Sequence, residues 1–239
     1  MSNLKKTALI TGGADRIGKA IALTCAGMGY DVALHYRNSK EKAELAKKEI
    51  EALGRNCSLY YTDLADADEA ASLVAKVRRD HNLFCLVNNA SIYSESSLVE
   101  GDSRIADEIY DVNFKAPYLL TKEFAQQKGQ GVVINLLDTK ISGNMTRYFD
   151  YLLSKKFLFD YTKMAAIQLA PNIRVNGIAP GAVLPPAGES DEYLENISKT
   201  IPLRRPGAVK YIQKAVQYIL ENDFITGEIL NIDGGENLL

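Results

Sequence analysis

The chain has 239 residues, 46% of them apolar and 24% charged, which suits one large domain with its own core and excludes a disulfide miniprotein. Lys and Arg number 28 against 30 Asp and Glu, and a formal net charge of −2 lacks the cationic surplus that grips nucleic acid. The two histidines (His35, His81) and three cysteines (Cys25, Cys57, Cys85) form no C-x-x-C or H-E-x-x-H pattern, so no metal site and no Cys–His or Ser–His nucleophile is expected. An odd cysteine count with no local pair reads as reduced thiols packed as small core residues. The first ten residues hold only a short apolar run, and no stretch nears the ~18 apolar residues of a membrane span, so a cytoplasmic location is expected.

Short β-branched runs alternate with longer helical patterns. The first run, 7–10, leads into Thr11-Gly12-Gly13-Ala14-Asp15-Arg16-Ile17-Gly18 and a helix predicted over 17–28. A strand, a glycine-rich turn and a helix N-terminus make a pyrophosphate cradle, because backbone can approach the phosphates and free N–H groups face them. Gly18 inside the helix costs roughly 1 kcal/mol, which an ordinary tight turn does not require. The second run, 31–35, ends at His35-Tyr36-Arg37-Asn38-Ser39. An acid for a ribose 2′-OH is missing there, and Arg37 with Ser39 suits a 2′-phosphate, favouring NADP over NAD; a solvated basic loop is the plainer alternative.

A helix over 40–53 and a third run, 57–61, precede Asp63-Leu64, where Asp63 suits either the adenine amino group or the cap of a helix over 67–79. The fourth run, 84–88, passes into Asn88-Asn89-Ala90-Ser91, and one long helix is predicted over 102–126. The fifth run, 132–136, is followed by Asp138 and a helix over 149–169. A sixth run, 173–178, reaches Pro180-Gly181 and an irregular stretch, 180–206, that also holds Pro185, Pro186, Pro202 and Pro206. So long a loop is either a functional lid or a surface excursion. A helix over 208–221 and a seventh run, 228–232, follow. This alternation specifies right-handed βαβ units in a single-domain, Rossmann-type, doubly wound parallel sheet of about seven strands, spanning 1–239 with a substrate loop within 180–206.

A tyrosine one helical turn before a lysine can serve as a proton donor whose pKa the lysine lowers. Three matches occur: Tyr36/Lys40, Tyr118/Lys122 and Tyr151/Lys155. Tyr36 belongs to the cofactor-selecting turn, and Tyr118 reads as part of a buried helix wall. Tyr151 follows the fifth strand, whose carboxyl end faces the ligand crevice, so Tyr151 and Lys155 are chosen. Asp138 leaves the same strand; taken alone, a solvated turn aspartate is the preferred reading.

In order and spacing, Thr11-Gly12…Gly18, Asp63-Leu64, Asn88-Asn89-Ala90, Asn113, Tyr151…Lys155, Pro180-Gly181 and Ile225-Thr226-Gly227…Asp233-Gly234-Gly235 resemble the short-chain dehydrogenase/reductase family over the whole chain. The resemblance implies that Tyr151 donates a proton, Lys155 lowers its pKa and binds the nicotinamide ribose, and Asn113 supports a water relay. It also implies cofactor contacts from Gly12, Arg16, Ile17, Gly18, His35, Tyr36, Arg37, Asn38, Ser39, Asp63, Leu64, Asn89, Ala90, Ser91, Pro180 and Gly181. Arg16 stands where the family's turn has its middle glycine, and Asp138 where serine is usual. Both departures are similar to the pteridine reductase branch, as are His35-Tyr36-Arg37, Asn89-Ala90-Ser91 and Tyr93. The resemblance therefore implies an NADPH-dependent reductase of pterins or dihydropteridines, with dihydrofolate a further candidate. Its substrate contacts come from Arg16, Ser91, Tyr93, Asp138 and Tyr151, and the assembly is a homotetramer. The alternative is a reductase of 3-oxoacyl thioesters or other carbonyls, which predicts serine at 138. A catalytically idle dinucleotide sensor predicts loss of Tyr151, Lys155 or Asn113, and all three are present.

Overall fold

Among the described residues, seven strands form the centre of the molecule: β1 (Lys6–Ile10), β2 (Asp31–Tyr36), β3 (Cys57–Tyr61), β4 (Asn82–Asn88), β5 (Gly131–Leu136), β6 (Ile173–Pro180) and β7 (Ile229–Ile232). They pair in parallel in the order β3-β2-β1-β4-β5-β6-β7. The computed structural model describes residues 5–127, 129–144, 146–185 and 190–239. The expectations for residues 1–4 and for Pro186 lie outside the described residues.

Among the described residues the helices are α1 (Arg16–Gly27), α2 (Lys40–Ala52), α3 (Ala67–Asp80), α4 (Ser103–Tyr110), α5 (Ala116–Ala125), α6 (Phe149–Leu169), α7 (Asp191–Ser198) and α8 (Val209–Glu221). Every residue of β5 is buried, as a strand covered on both faces must be. Ile21 and Cys25 of α1, Ile50 of α2 and Ile212 and Val216 of α8 pack on one face against Ile10, Leu34 and Ile134. Leu73 and Val77 of α3, Leu120 and Phe124 of α5 and Ala166 of α6 pack on the other against Leu9, Leu86 and Val133. Each such fully buried large aliphatic side chain contributes roughly 1.5–3 kcal/mol.

Three expectations need correction. The helix predicted over 102–126 is broken by a wide π-type turn, Asp111–Lys115, in which Ala116 N–H bonds to the Asp111 carbonyl five residues back. Pro117, with no N–H, cannot continue the ordinary ladder at this point. Tyr118 is not part of a buried wall: it is 44% exposed and meets Tyr161 edge-on at 5.8 Å. The 3.6-residue period turns Pro117, Leu120, Thr121 and Phe124 inward and leaves Tyr118 about 100° off that face. Finally, 180–206 is not irregular throughout, because α7 and its apolar Leu194 organise its middle.

The sheet's two directions of growth part between β1 and β4, and a crevice opens at their carboxyl ends. A Cβ at Gly18 would lie 2.1 Å from the Gly12 carbonyl oxygen, so α1 meets the turn through bare backbone. Gly18→Ala is expected to cost more than about 3 kcal/mol in urea unfolding. Gly27→Ala, with nothing within 4 Å of its Cβ, should be neutral or stabilising by up to about 1 kcal/mol. Equal effects of the two substitutions would contradict this packing.

Candidate active site

The turn after β1 is braced from β4. Thr11 Oγ1 donates to the Val87 carbonyl and accepts from the N–H groups of Asn89 (2.9 Å) and Ala90 (3.0 Å). Asn89 Nδ2 donates to the carbonyls of Thr11 (2.9 Å) and Gly12 (3.2 Å). Gly12 takes φ +61°, and a Cβ there would come within 3.1 Å of Ala90 Cα. His35 completes the brace: its Nδ1 accepts from Gly12 N–H at 3.0 Å, so Nε2 carries the proton donated to the Thr62 carbonyl at 3.0 Å. Burial holds its pKa below the ordinary value, which keeps the ring neutral in this role.

Arg16 also has positive φ, +51°, at the position where the resembled turn has glycine. Its backbone therefore keeps the glycine-like bend while a cation is added, and Nη2 donates to the Pro185 carbonyl at 2.5 Å. Asp15 caps α1 by accepting from Arg16 N–H and pairs with Lys42. A cavity of about 380 Å³ lies over this turn. It is lined by Gly12, Arg16, Ile17, Gly18, His35, Arg37, Asp63, Leu64, Asn89, Ala90 and Ser91, all among the expected cofactor residues, together with Asp15, Ile92 and Val112. Bare backbone at Gly12, a helix N-terminus and apolar walls fit the adenosine and phosphate half of a dinucleotide.

The structure does not bring every expected residue to this cavity. Tyr36, half-buried, turns edge-on to Tyr61 instead. Asn38 and Ser39 lie at the start of α2, outside the lining. Pro180 and Gly181 end β6 against β7, where a Cβ at Gly181 would fall 2.8 Å from Asp233 Cα. Arg37 is held by two carboxylates, Nη2 to Asp63 Oδ2 at 3.0 Å and Nη1 to Glu108 Oε1 at 2.9 Å.

Beyond the end of β5, Tyr151 donates its hydroxyl to Asp138 Oδ2 at 2.8 Å. Asp138 Oδ1 accepts from Lys140 N–H at 2.8 Å, so the aspartate is the cap of a short turn as well as the tyrosine's partner. One helical turn on from Tyr151, Lys155 Nζ donates to the Leu136 carbonyl at 2.8 Å. Asn113, in the π-type turn, bridges Ile92 N–H and carbonyl and donates to Ser154 Oγ at 3.2 Å. Tyr151 and Lys155 are buried.

Burial pushes the Asp138 carboxyl above its ordinary range despite its hydrogen bonds. Burial, then Asp138 itself, push the Tyr151 phenol well up, and burial pushes the Lys155 ammonium down to about 8. Burial and the Asp138 carboxylate are the largest influences on the phenol in this structure. Nζ lies 5.8 Å from the tyrosine ring centroid and is committed to Leu136, while a carboxylate touches the hydroxyl.

Three sets of contacts escape a sequence reading. Tyr148, three residues before Tyr151, stacks on Tyr93 with centroids 4.3 Å apart, and Tyr93 meets Tyr151 edge-on at 4.7 Å. Their spacing on one helical face is a usable signal for Tyr148. Asp233 Oδ2 accepts from Thr139 Oγ1 at 2.5 Å, and Glu236 pairs with Lys140, so the C-terminal turn clasps the Asp138 segment. Glu108 reaches Arg37 across 71 positions. Neither the clasp nor Glu108 has a local sequence signal.

A family model described as enoyl-(acyl carrier protein) reductase matches residues 12–237. The 3-oxoacyl-[acyl-carrier-protein] reductase FabG of Staphylococcus aureus is 33% identical over 241 residues, covering 97% of this chain and 98% of that protein. The crystal structure of FolM alternative dihydrofolate reductase 1 from Brucella canis, complexed with NADP, superposes with a TM-score of 0.92 at 34% identity, over 98% of this chain and 94% of that one. A blue fluorescent protein from a metagenomic library, in complex with NADPH, gives 0.90 at 27% identity over 98% and 99%.

The Lys155 geometry sets a pH dependence. Below about pH 8 the folded and unfolded chains both bind the lysine proton, and from there to 10.5 only the unfolded chain does. Stability of the wild type should therefore rise relative to Lys155→Met across that window, by about 3 kcal/mol. Urea unfolding of both proteins from about pH 7 to about pH 10 measures it, and a constant difference would contradict a depressed lysine pKa.

Proposed function

This chain belongs to the short-chain dehydrogenase/reductase family, and from that premise we propose that it is an NADPH-dependent reductase of pterins and dihydropteridines, with dihydrofolate within its range. The observation that carries this reading is the 2.8 Å hydrogen bond from Tyr151 to the carboxyl of half-buried Asp138, just beyond the carboxyl end of β5. Reducing a C=N bond adds a hydride at carbon and a proton at nitrogen. Asp138, with its pKa raised, is a group able to hold that proton and pass it through the Tyr151 hydroxyl, and when ionised it accepts from an amino-pyrimidine edge. The 34% identity to a dihydrofolate reductase solved with NADP supports the same direction.

In this reading Gly12, Ile17, Gly18, Asn89, Ala90 and Ser91 hold the pyrophosphate and neighbouring groups. Asp63 and Leu64 lie at the adenine and Arg37 at the 2′-phosphate, with Tyr36, Asn38 and Ser39 flanking it from outside the cavity. Lys155, Pro180 and Gly181 lie towards the nicotinamide ribose. The bound cofactor supplies the hydride. Arg16 serves both a phosphate and the pterin, and Tyr93, backed by Tyr148, offers its remaining face to a flat ring. Asn113 orders the backbone at Ile92 and the Ser154 hydroxyl behind the tyrosine. A substrate loop lies within 180–206, and Pro185 in that stretch is tied to the phosphate turn through Arg16. We place the enzyme in a homotetramer.

A second reading, reduction of 3-oxoacyl thioesters, is favoured by the 33% identity to the Staphylococcus aureus FabG. NADPH oxidation measured side by side with dihydrobiopterin, dihydromonapterin, dihydrofolate and an acetoacetyl thioester separates the two. Tyr151→Phe should cut turnover by at least about 100-fold with NADPH binding retained; near-normal turnover would remove Tyr151 from the chemistry. Asp138→Ser should weaken pterin reduction, and unchanged pterin kinetics would take away this reading's main support. Arg37→Asp should turn cofactor preference towards NADH, read as kcat/KM for both cofactors.

A further inference from the structure

The loop after β2 carries no acid, yet two acids reach its cation from elsewhere in the fold. Arg37 Nη2 pairs with Asp63 Oδ2 at 3.0 Å and Nη1 with Glu108 Oε1 at 2.9 Å, so both arms of the guanidinium face a carboxylate. The two carboxylates are not equivalent. Asp63 is built into the turn after β3, where Oδ1 accepts from Ala65 N–H at 3.0 Å and its own N–H donates to Glu69. Among the described residues, the Glu108 side chain has Arg37 as its partner and no other. A ribose 2′-phosphate carries close to two negative charges at neutral pH. With a carboxylate on each arm of Arg37, a 2′-phosphate that pairs with it competes with them for the guanidinium, and Glu108 is the one free to leave.

We infer that Glu108 is a specificity-determining residue: it competes with the 2′-phosphate for Arg37 and so restrains the preference for NADPH over NADH. This rests on the NADPH reading above. A ribose 2′-OH is neutral and gains little from a free Arg37, so removing the Glu108 charge strengthens binding of the phosphorylated cofactor selectively.

The test is equilibrium binding, by calorimetry, of NADP⁺, NAD⁺ and the fragment 2′,5′-ADP to the wild type and to Glu108→Gln. The glutamine keeps shape and exposure and removes only the charge. NADP⁺ and 2′,5′-ADP should tighten roughly 3- to 10-fold while NAD⁺ stays within roughly 2-fold. The difference should shrink at about 1 M salt, where exposed charges are screened within about 3 Å. Unchanged or weaker NADP⁺ binding in Glu108→Gln overturns the inference, weaker binding meaning that Glu108 orients Arg37. Equal tightening of NAD⁺ also overturns it, as a general charge effect. Both outcomes leave the NADPH reading standing, whereas a wild type that binds neither dinucleotide overturns both.

Discussion

A parallel sheet that grows in opposite directions from its middle leaves a gap at the carboxyl ends of the two central strands. Here the gap lies between β1 and β4, and the Thr11 hydroxyl spans it, bonded to the Val87 carbonyl and to two N–H groups beyond β4. Asn89 returns the contact to the Thr11 and Gly12 carbonyls, and His35 holds Gly12 from β2. Three strands thus converge on one glycine. The bare backbone of that turn, the orientation of α1 and the shape of the cavity all depend on this exchange of hydrogen bonds. An unmade buried bond costs more than a made one contributes, so the brace acts as a unit.

Electrostatics divides the crevice into two zones. At the adenosine end the charges are exposed and paired: Arg37 with Asp63 and Glu108, Lys42 with Asp15. Such pairs are screened and exchange partners readily. At the reactive end Asp138, Tyr151 and Lys155 are largely removed from water, and burial shifts each towards its neutral form. Lowering the cost of the neutral forms eases a proton's passage between Asp138 and Tyr151, while Lys155 still carries its proton below about pH 8. Binding and chemistry therefore run on different physics within one cleft.

Motif residues were legible from the sequence because their chemistry is local. Gly12, Gly18, Asn89 and the Tyr151/Lys155 turn are fixed by the backbone element that carries them, and strand boundaries fell within two residues of the observed ones. The π-type turn was hidden because its cause, Pro117, is tolerated in the first turn of an ordinary helix as well. Helix α7 was masked by the prolines on either side of it. Tyr118 misled because adjacent apolar residues obscured the 3.6-residue phase. The contacts of Glu108 and Asp233 could not be read at all, since their partners lie 71 and 94 positions away in the chain.

The clasp between the C-terminal turn and the Asp138 segment has a temporal meaning. Thr139 and Lys140 find their partners only after Asp233 and Glu236 have been synthesised and β7 has joined the sheet. The phosphate turn and the tyrosine helix rest on β1 to β6, whereas the turn that carries Asp138 is also anchored by residues after β7. The placement of the carboxyl group thus depends on side chains more than ninety positions further along the chain, brought to it by the closing of the sheet edge.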